Sequence, residues 1–161
     1  VHDFAVDHGV TATIWRRLGE DRMVLEMVEY SPDGLRVHMP SGQRLPILMG
    51  ATGRAAAHRL GWTKPQIRAA FDKLRWSGAL EFEQFLGEAD DAVARGWGVD
   101  DGYFSQGVVS LAAPILDATG ILSHSFVVVA IRDQLDANRR DQIGADMVPV
   151  AARLSSILNE S

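Results

Sequence analysis

Apolar and polar residues alternate along the first part of this chain with the two-residue period of strands. The alternation over TATIWRRL (11–18) and MVLEMVEY (23–30) predicts two strands joined by a tight turn. A Ser-Pro-Asp-Gly turn signal at 31–34 then leads into LRVHM (35–39), which predicts a third short strand. The chain is therefore expected to begin with an antiparallel meander.

Farther along, the apolar residues take up helical spacing before strands return. Such spacing predicts four helices, at about 50–60, from Thr63 onward, over 82–93 and over 143–157. Thr63 and Gln66 form a capping-box pattern at the start of the second of these helices, and Pro149 predicts a kink or a break in the last. Two long apolar runs, at 107–117 and 121–132, predict two more strands.

This order of elements favours an α+β fold, because strands in meanders are separated by a block of helices. We expect an antiparallel sheet of about five to six strands with helices packed on it. A doubly wound parallel sheet would instead need strands and helices to alternate regularly.

Composition narrows the possible functions. The 161 residues, 47% of them apolar, fit one domain with a real core. A formal charge of -5 argues against direct binding of nucleic acid, and the absence of cysteine fits a cytoplasmic setting. No stretch reaches the roughly 20 apolar residues of a membrane span, so no membrane partner is expected. The chain begins at Val1, and we expect it to be cut from a longer protein.

The segment MGATGRAA (49–56) allows three interpretations. It is similar to a dinucleotide-binding glycine turn, but two more helices follow it where a parallel strand should come. A structural interpretation is a helix that begins close against a sheet and therefore needs small residues. A third is a helix start whose backbone N–H groups and Thr52 hydroxyl accept a carboxylate.

The rest of the sequence gives only weak signs of a catalytic or metal-binding site. Asp100 and Asp101 are neighbours, and on an extended chain they point to opposite faces, so we expect one to face a pocket and one to face solvent. The group His2, Asp3, Asp7 and His8 could suggest a metal, but positions 2 and 8 do not share a helix face. No catalytic or phosphate-binding motif is present. The sequence therefore predicts no enzyme, no metal and no cofactor.

Two stretches carry a resemblance to a known family. RLPILMGATGRAAA (44–57) and GWGVDDGYFSQGVVSLAAPILDATG (96–120), followed by a closing strand and an apolar helix, resemble the effector-binding domain of IclR-type bacterial transcription regulators. The resemblance covers essentially the whole chain and implies one GAF-like effector-binding domain over 1–161. It implies that residues 1–9 end a linker helix, that operator DNA is bound by a winged helix-turn-helix domain absent from this sequence, and that the domain forms dimers or tetramers.

Carried over position by position, the resemblance also implies a pocket between sheet and helices. Its residues would be an apolar wall of Leu45 and Met49, anion contacts at Ala51 and Thr52, an acid at the mouth, Asp100, a floor of Val108 and Ser110, and a closing strand with Ser125, Val127 and Val129.

The closing strand departs from the family pattern. Where the family often has serines, this chain has Val127 and Val129, with Ser125 one step further back on the same face. Burying the oxygens of a very small polar acid without partners would cost roughly 1–3 kcal/mol each. We therefore expect a small organic acid with an apolar body. The alternative is a small enzyme or cofactor-binding domain of similar GAF- or PAS-like fold.

Overall fold

The computed structural model describes residues 1–33 and 36–160. In the described part the chain forms five α-helices and six strands. In chain order these are α1 (His2–His8), β1 (Thr11–Leu18), β2 (Arg22–Glu29), β3 (Arg44–Pro46), α2 (Gly50–Ala56), α3 (Lys64–Asp72), α4 (Phe82–Arg95), β4 (Gly98–Asp101), β5 (Val108–Leu116), β6 (Leu122–Ile131) and α5 (Ala137–Asn159). None of these helices is long and apolar enough to cross a membrane.

The six strands form one sheet in the order β3-β2-β1-β6-β5-β4. Each neighbouring pair is antiparallel. The α+β class and the expected strand number are therefore confirmed. The central pairing joins the first strand to the last, because Thr13 of β1 lies opposite Val127 of β6.

The alternation along the strands separates two apolar layers. Phe126 and Val128 of β6 are buried on the face that packs against α1 and α5. Val127 and Val129 are buried on the opposite face, with α2, α3 and α4. Because successive side chains of a strand point to opposite faces, one short valine run serves both layers.

The predicted helices are present, with sharper bounds. The capping box of α3 is confirmed: Thr63 Oγ1 accepts a hydrogen bond from the Gln66 backbone N–H, and Gln66 Oε1 accepts one from the Thr63 N–H. The helix predicted at 50–60 ends as a tighter 3₁₀ turn over Ala57–Arg59.

The position of the third strand was predicted wrongly. The third strand was predicted at 35–39, but residues 36–39 form no strand, and Gly34 and Leu35 of the predicted turn and strand lie outside the described residues. The third strand of the meander is β3 instead. The acid pair lies in strand β4, which was not among the predicted strands. Of the kink or break predicted at Pro149, the break is absent, because α5 continues through this residue.

Small residues let α2 lie directly against its neighbours. A Cβ on Gly53 would stand 1.9 Å from the carbonyl oxygen of Leu48, and a Cβ on Gly98 would stand 2.9 Å from the backbone nitrogen of Ala55. The structural interpretation of the glycine turn is thus confirmed. The dinucleotide interpretation lacks its context, since α2 leads to α3 and α4 and not to a parallel strand.

Candidate functional site

A cavity of about 170 Å³ opens between the sheet and the start of α2. Its walls come from β1, β2, β3, α2, β5 and β6, together with the 36–40 segment and the 102–107 loop. The lining residues are Trp15, Met23, Val37, Met39, Leu45, Pro46, Met49, Gly50, Ala51, Thr52, Phe104, Ser105, Val108, Ser110, Val127 and Val129. None of them is ionisable. The cavity therefore offers an apolar surface with three hydroxyl groups.

Most of the residues implied by the resemblance meet at this cavity. Eight of the ten line it, namely Leu45, Met49, Ala51, Thr52, Val108, Ser110, Val127 and Val129. Asp100 and Ser125 do not.

Local backbone geometry directs the start of α2 to the cavity. Gly50 has φ +69°, a conformation that side-chain-bearing residues rarely adopt, and it turns the chain from β3 into the helix. A Cβ on Gly50 would lie 3.9 Å from Ser110 Oγ, so the helix begins directly over β5. The alternation of β5 points Val108 and Ser110 towards it, whereas Val109 and Leu111 face α5.

Ser125 lies behind the cavity wall. Its Oγ is 3.0 Å from Thr52 Oγ1, and its side chain is fully buried. Ser125 therefore reaches the cavity only through Thr52, whose hydroxyl it can hold by donating or accepting a hydrogen bond.

Asp100 faces α2 and is bound there. Its Oδ1 is 2.7 Å from Arg54 Nη1, and both side chains are almost completely buried. Its Oδ2 accepts a hydrogen bond of 2.8 Å from the Phe104 backbone N–H. A buried charge needs such partners. The structure therefore does not bring Asp100 to the cavity mouth, where the resemblance implied an acid.

Asp101 points to the other face of the sheet, as predicted for neighbours on an extended chain. Arg132 and Arg140 contact its two carboxylate oxygens. Burial raises the pKa of Asp101, but the hydrogen bonds and charges of these arginines outweigh it, so that the pKa lies below its ordinary value. Asp100 and Asp101 thus have separate partners and do not act as a facing carboxylate pair.

The sequence prediction missed the 102–107 loop and the three arginines that hold the acids. Phe104 and Ser105 line the cavity from this loop. Arg54 carried no signal beyond its place in MGATGRAA, since helix positions with long polar side chains are usually solvated.

The two histidines of the candidate metal group do not share a partner. His2 Nδ1 is 3.0 Å from Glu29 Oε2, and His8 Nε2 is 3.5 Å from Asp146 Oδ2, so the two point to different partners. Within residues 1–33 and 36–160, no three side chains of a type that binds metals come together.

Comparison with known families gives one match. The model of the bacterial transcriptional regulator IclR C-terminal family matches residues 4–156. No curated protein sequence matches the chain. The family is one of transcriptional regulators and is not an enzyme class.

Solved structures of regulators share the fold. An IclR transcriptional regulator from Alicyclobacillus acidocaldarius is 19% identical, with a TM-score of 0.84 over 96% of this chain and 63% of that one. The repressor BlcR of Agobacterium tumefaciens is 21% identical, with a TM-score of 0.78 over 98% of this chain and 62% of that one. The Thermotoga maritima IclR is 15% identical, with a TM-score of 0.79 over 98% of this chain and 66% of that one. This chain thus spans less than two thirds of these relatives.

Proposed function

Because this chain belongs to the IclR C-terminal domain family of bacterial transcriptional regulators, we propose that it binds the small-molecule effector of such a regulator. The observation that carries the proposal is the cavity at the start of α2, where eight of the residues implied by the resemblance meet. A pocket with mostly apolar walls and a few placed polar groups is typical of small-molecule binding. The domain would sense the effector in the cytoplasm without chemical conversion.

The cavity favours a ligand with an apolar body. Its volume of about 170 Å³ is close to that of an engineered apolar cavity of about 150 Å³ that binds benzene. Burying about 100 Å² of apolar ligand surface against Met49, Val127 and Val129 would contribute roughly 2.5 kcal/mol.

We propose that the ligand is a small organic acid. Its carboxylate would lie beside the hydroxyls of Thr52 and Ser110 and the backbone N–H of Ala51, which has no partner within the helix. The cavity lining has no cation to pair with it. The acid group therefore depends on hydrogen bonds alone, and the apolar body supplies most of the affinity.

A thermal-shift screen with two valine variants tests the proposal. Val108→Phe fills the cavity from β5, whereas Val93→Phe makes the same change on the exposed side of α4, where the side chain is 41% exposed. We expect phenylacetate or isovalerate to raise the Tm of the wild type and of Val93→Phe, but not of Val108→Phe. A ligand at 100 times its Kd would stabilise the fold by about 2.7 kcal/mol. Equal shifts in both variants, or no shift in any protein, would contradict the proposal.

The assembly of the domain is a further part of the proposal. The resemblance implies dimers or tetramers, and we propose that this domain associates in the same way. Large apolar residues in the sequence suggested such a surface, but they do not supply it, because they are buried or half-buried: Trp15, Trp62, Trp76 and Phe104. Exposed apolar side chains are present instead on α1 and β2, at Val6 and Met27. Light scattering that shows a strict monomer at tens of micromolar would contradict it.

Operator DNA would be contacted through another domain. The net charge of -5 disfavours binding to phosphates by these residues, and the similar solved structures are longer than this chain. We expect no gel shift of duplex DNA by this fragment at physiological salt. A salt-dependent shift would contradict this assignment.

A further inference from the structure

A buried ion pair lies between α2 and β4, outside the cavity lining. The side chains of Arg54 and Asp100 are 0% and 1% exposed, and Arg54 Nη1 stands 2.7 Å from Asp100 Oδ1. The guanidinium lies near the rings of Trp76 and Phe85. The pair is therefore shielded from solvent.

The same pair holds two walls of the cavity. Arg54 Nη1 also donates to the carbonyl oxygen of Gly50 at 3.0 Å, and Gly50 lines the cavity at the start of α2. Asp100 Oδ2 accepts from the backbone N–H of Phe104 at 2.8 Å, and Phe104 lines the cavity from the 102–107 loop. A continuous chain of hydrogen bonds thus joins the two walls through the two charged side chains.

Fold stability alone is a weak reason for such a pair. Removing two charges from water costs several kcal/mol per ion, and apolar replacements of buried ion pairs are often neutral or stabilising. Arg54 is also incompletely bonded. Its Nε and Nη2 have no hydrogen-bond partner among the described residues, and the Glu88 carboxylate stays 3.7 Å from Nη2.

We infer that Asp100 and Arg54 are positioning residues for the cavity, and that Asp100 fixes Phe104 in place through its N–H. Ligand affinity would then depend on Asp100 although Asp100 does not contact the ligand. The inference rests on the proposed function, because it assigns a role within that ligand site. Asp100 would then act on the cavity through the 102–107 loop, and not from the cavity mouth as the resemblance implied.

Two double variants isolate the contact with Phe104. Arg54→Met with Asp100→Asn removes both charges but keeps a side-chain oxygen that can accept the Phe104 N–H. Arg54→Met with Asp100→Leu removes both charges and that acceptor. Neither variant leaves Arg54 or Asp100 as a buried charge without its partner, which is the change that most often prevents folding. The partly buried Glu88 loses the nearby Arg54 charge in both variants, so this loss cancels in the comparison between them.

Binding is measured with three ring-sized probes that differ in polar group: toluene, phenol and benzylamine. At a temperature where all proteins are folded, we expect the Leu variant to bind each probe about tenfold more weakly, the factor that corresponds to one lost hydrogen bond of moderate strength. The Asn variant should stay within about threefold of the wild type. The loss should be the same for all probes, because a positioning residue does not distinguish their polar groups.

A measurement without ligand separates this inference from the proposed function. Amide hydrogen exchange at Phe104 and over the 102–107 loop should be faster in the Leu variant and unchanged in the Asn variant. If exchange is the same in the two variants, the inference is wrong whether or not the cavity binds anything. Affinities that are equal in the two variants, or a loss confined to phenol and benzylamine, would also overturn it. Failure of all probes to bind the wild type, with the exchange difference present, would count against the proposed function alone.

Discussion

The hydroxyl of Thr52 on α2 lies 3.0 Å from the hydroxyl of Ser125 on β6, and both side chains are buried. Thr52 lines the cavity, whereas Ser125 stands behind it. The bond therefore fastens the start of α2 to the closing strand of the sheet. It also restricts the direction in which the Thr52 hydroxyl can point.

Replacing Thr52 by valine tests this bond. The change keeps the shape of the side chain but leaves the buried Ser125 Oγ without its partner, which should lower the free energy of unfolding by about 1–3 kcal/mol. Urea denaturation measures the loss. The double variant Thr52→Val with Ser125→Ala should lose less than the sum of the single changes, because neither partner then remains unpaired. Strictly additive losses would mean that the two hydroxyls do not interact.

The packing of α2 gives a second prediction. Gly53→Ala would bring a Cβ within 1.9 Å of the Leu48 carbonyl oxygen, so α2 must shift away from the preceding turn. We expect a loss of about 2 kcal/mol or more, in the range of overpacked cores. The matched control is Gly87→Ala on α4, where a Cβ meets nothing within 4 Å. It should stabilise the fold by about 0.5–1 kcal/mol, since alanine is the better helix former. Equal thermal shifts in the two variants would contradict this prediction.

The sequence was informative wherever one local rule decided the structure. Thr63 and Gln66 form the predicted capping box, and β5 and β6 lie where the two long apolar runs predicted strands. The prediction was wrong over 36–39, where Val37 and Met39 alternate as in a strand but contact the cavity without a paired neighbour. An alternating pattern shows which side chains are buried, and it does not show that a second strand is present to pair with them.

The pairing of Asp100 with Arg54 could not be predicted for a related reason. The two residues lie 46 positions apart, and their contact depends on how α2 crosses β4. The close approach requires Gly98, which leaves room for the Arg54 Cβ and the Ala55 nitrogen. Glycine spacing indicates close packing in general, whereas the identity of the packed partner is a property of the tertiary structure.

The third prediction concerns acid stability. Burial holds the pKa of His124 below its ordinary value, although the Glu26 carboxylate opposes this effect. Below about pH 6.5 the unfolded chain therefore takes up a proton at this site more readily than the folded chain does. The contribution of neutral His124 to stability is present above that pH and is lost as the pH falls through the folded-state pKa.

The measurement compares unfolding free energies of the wild type and His124→Gln from pH 7.5 to 5. The difference between the two proteins should shrink or reverse in favour of the variant as the pH falls, because glutamine does not titrate. Other titrating groups, including Glu88, whose pKa is raised mainly by burial, are present in both proteins and cancel in the difference. A difference that does not vary with pH would show that His124 titrates alike in the folded and unfolded chains.

The last prediction concerns the class of ligand and the two valines of β6. Val127 and Val129 both line the cavity and give its closing strand an apolar surface. The wild type should therefore bind phenylacetate more tightly than glyoxylate, whose oxygens would be buried without enough partners at roughly 1–3 kcal/mol each. In the double variant Val127→Ser with Val129→Ser, we expect phenylacetate to bind about tenfold more weakly and glyoxylate to bind more tightly. Isothermal titration calorimetry of both acids measures whether the double variant reverses the preference of the wild type.

Val93→Ser is the control for this pair, because the same change on the exposed surface of α4 should leave both affinities unchanged. A wild type that prefers glyoxylate would mean that Thr52, Ser105 and Ser110 already satisfy a small polar acid. The valines would then not decide the class of ligand. A double variant that weakens both acids equally would instead show that the valines shape the cavity without selecting between ligands. Only opposite changes in the two affinities support an apolar closing strand as the basis of selectivity.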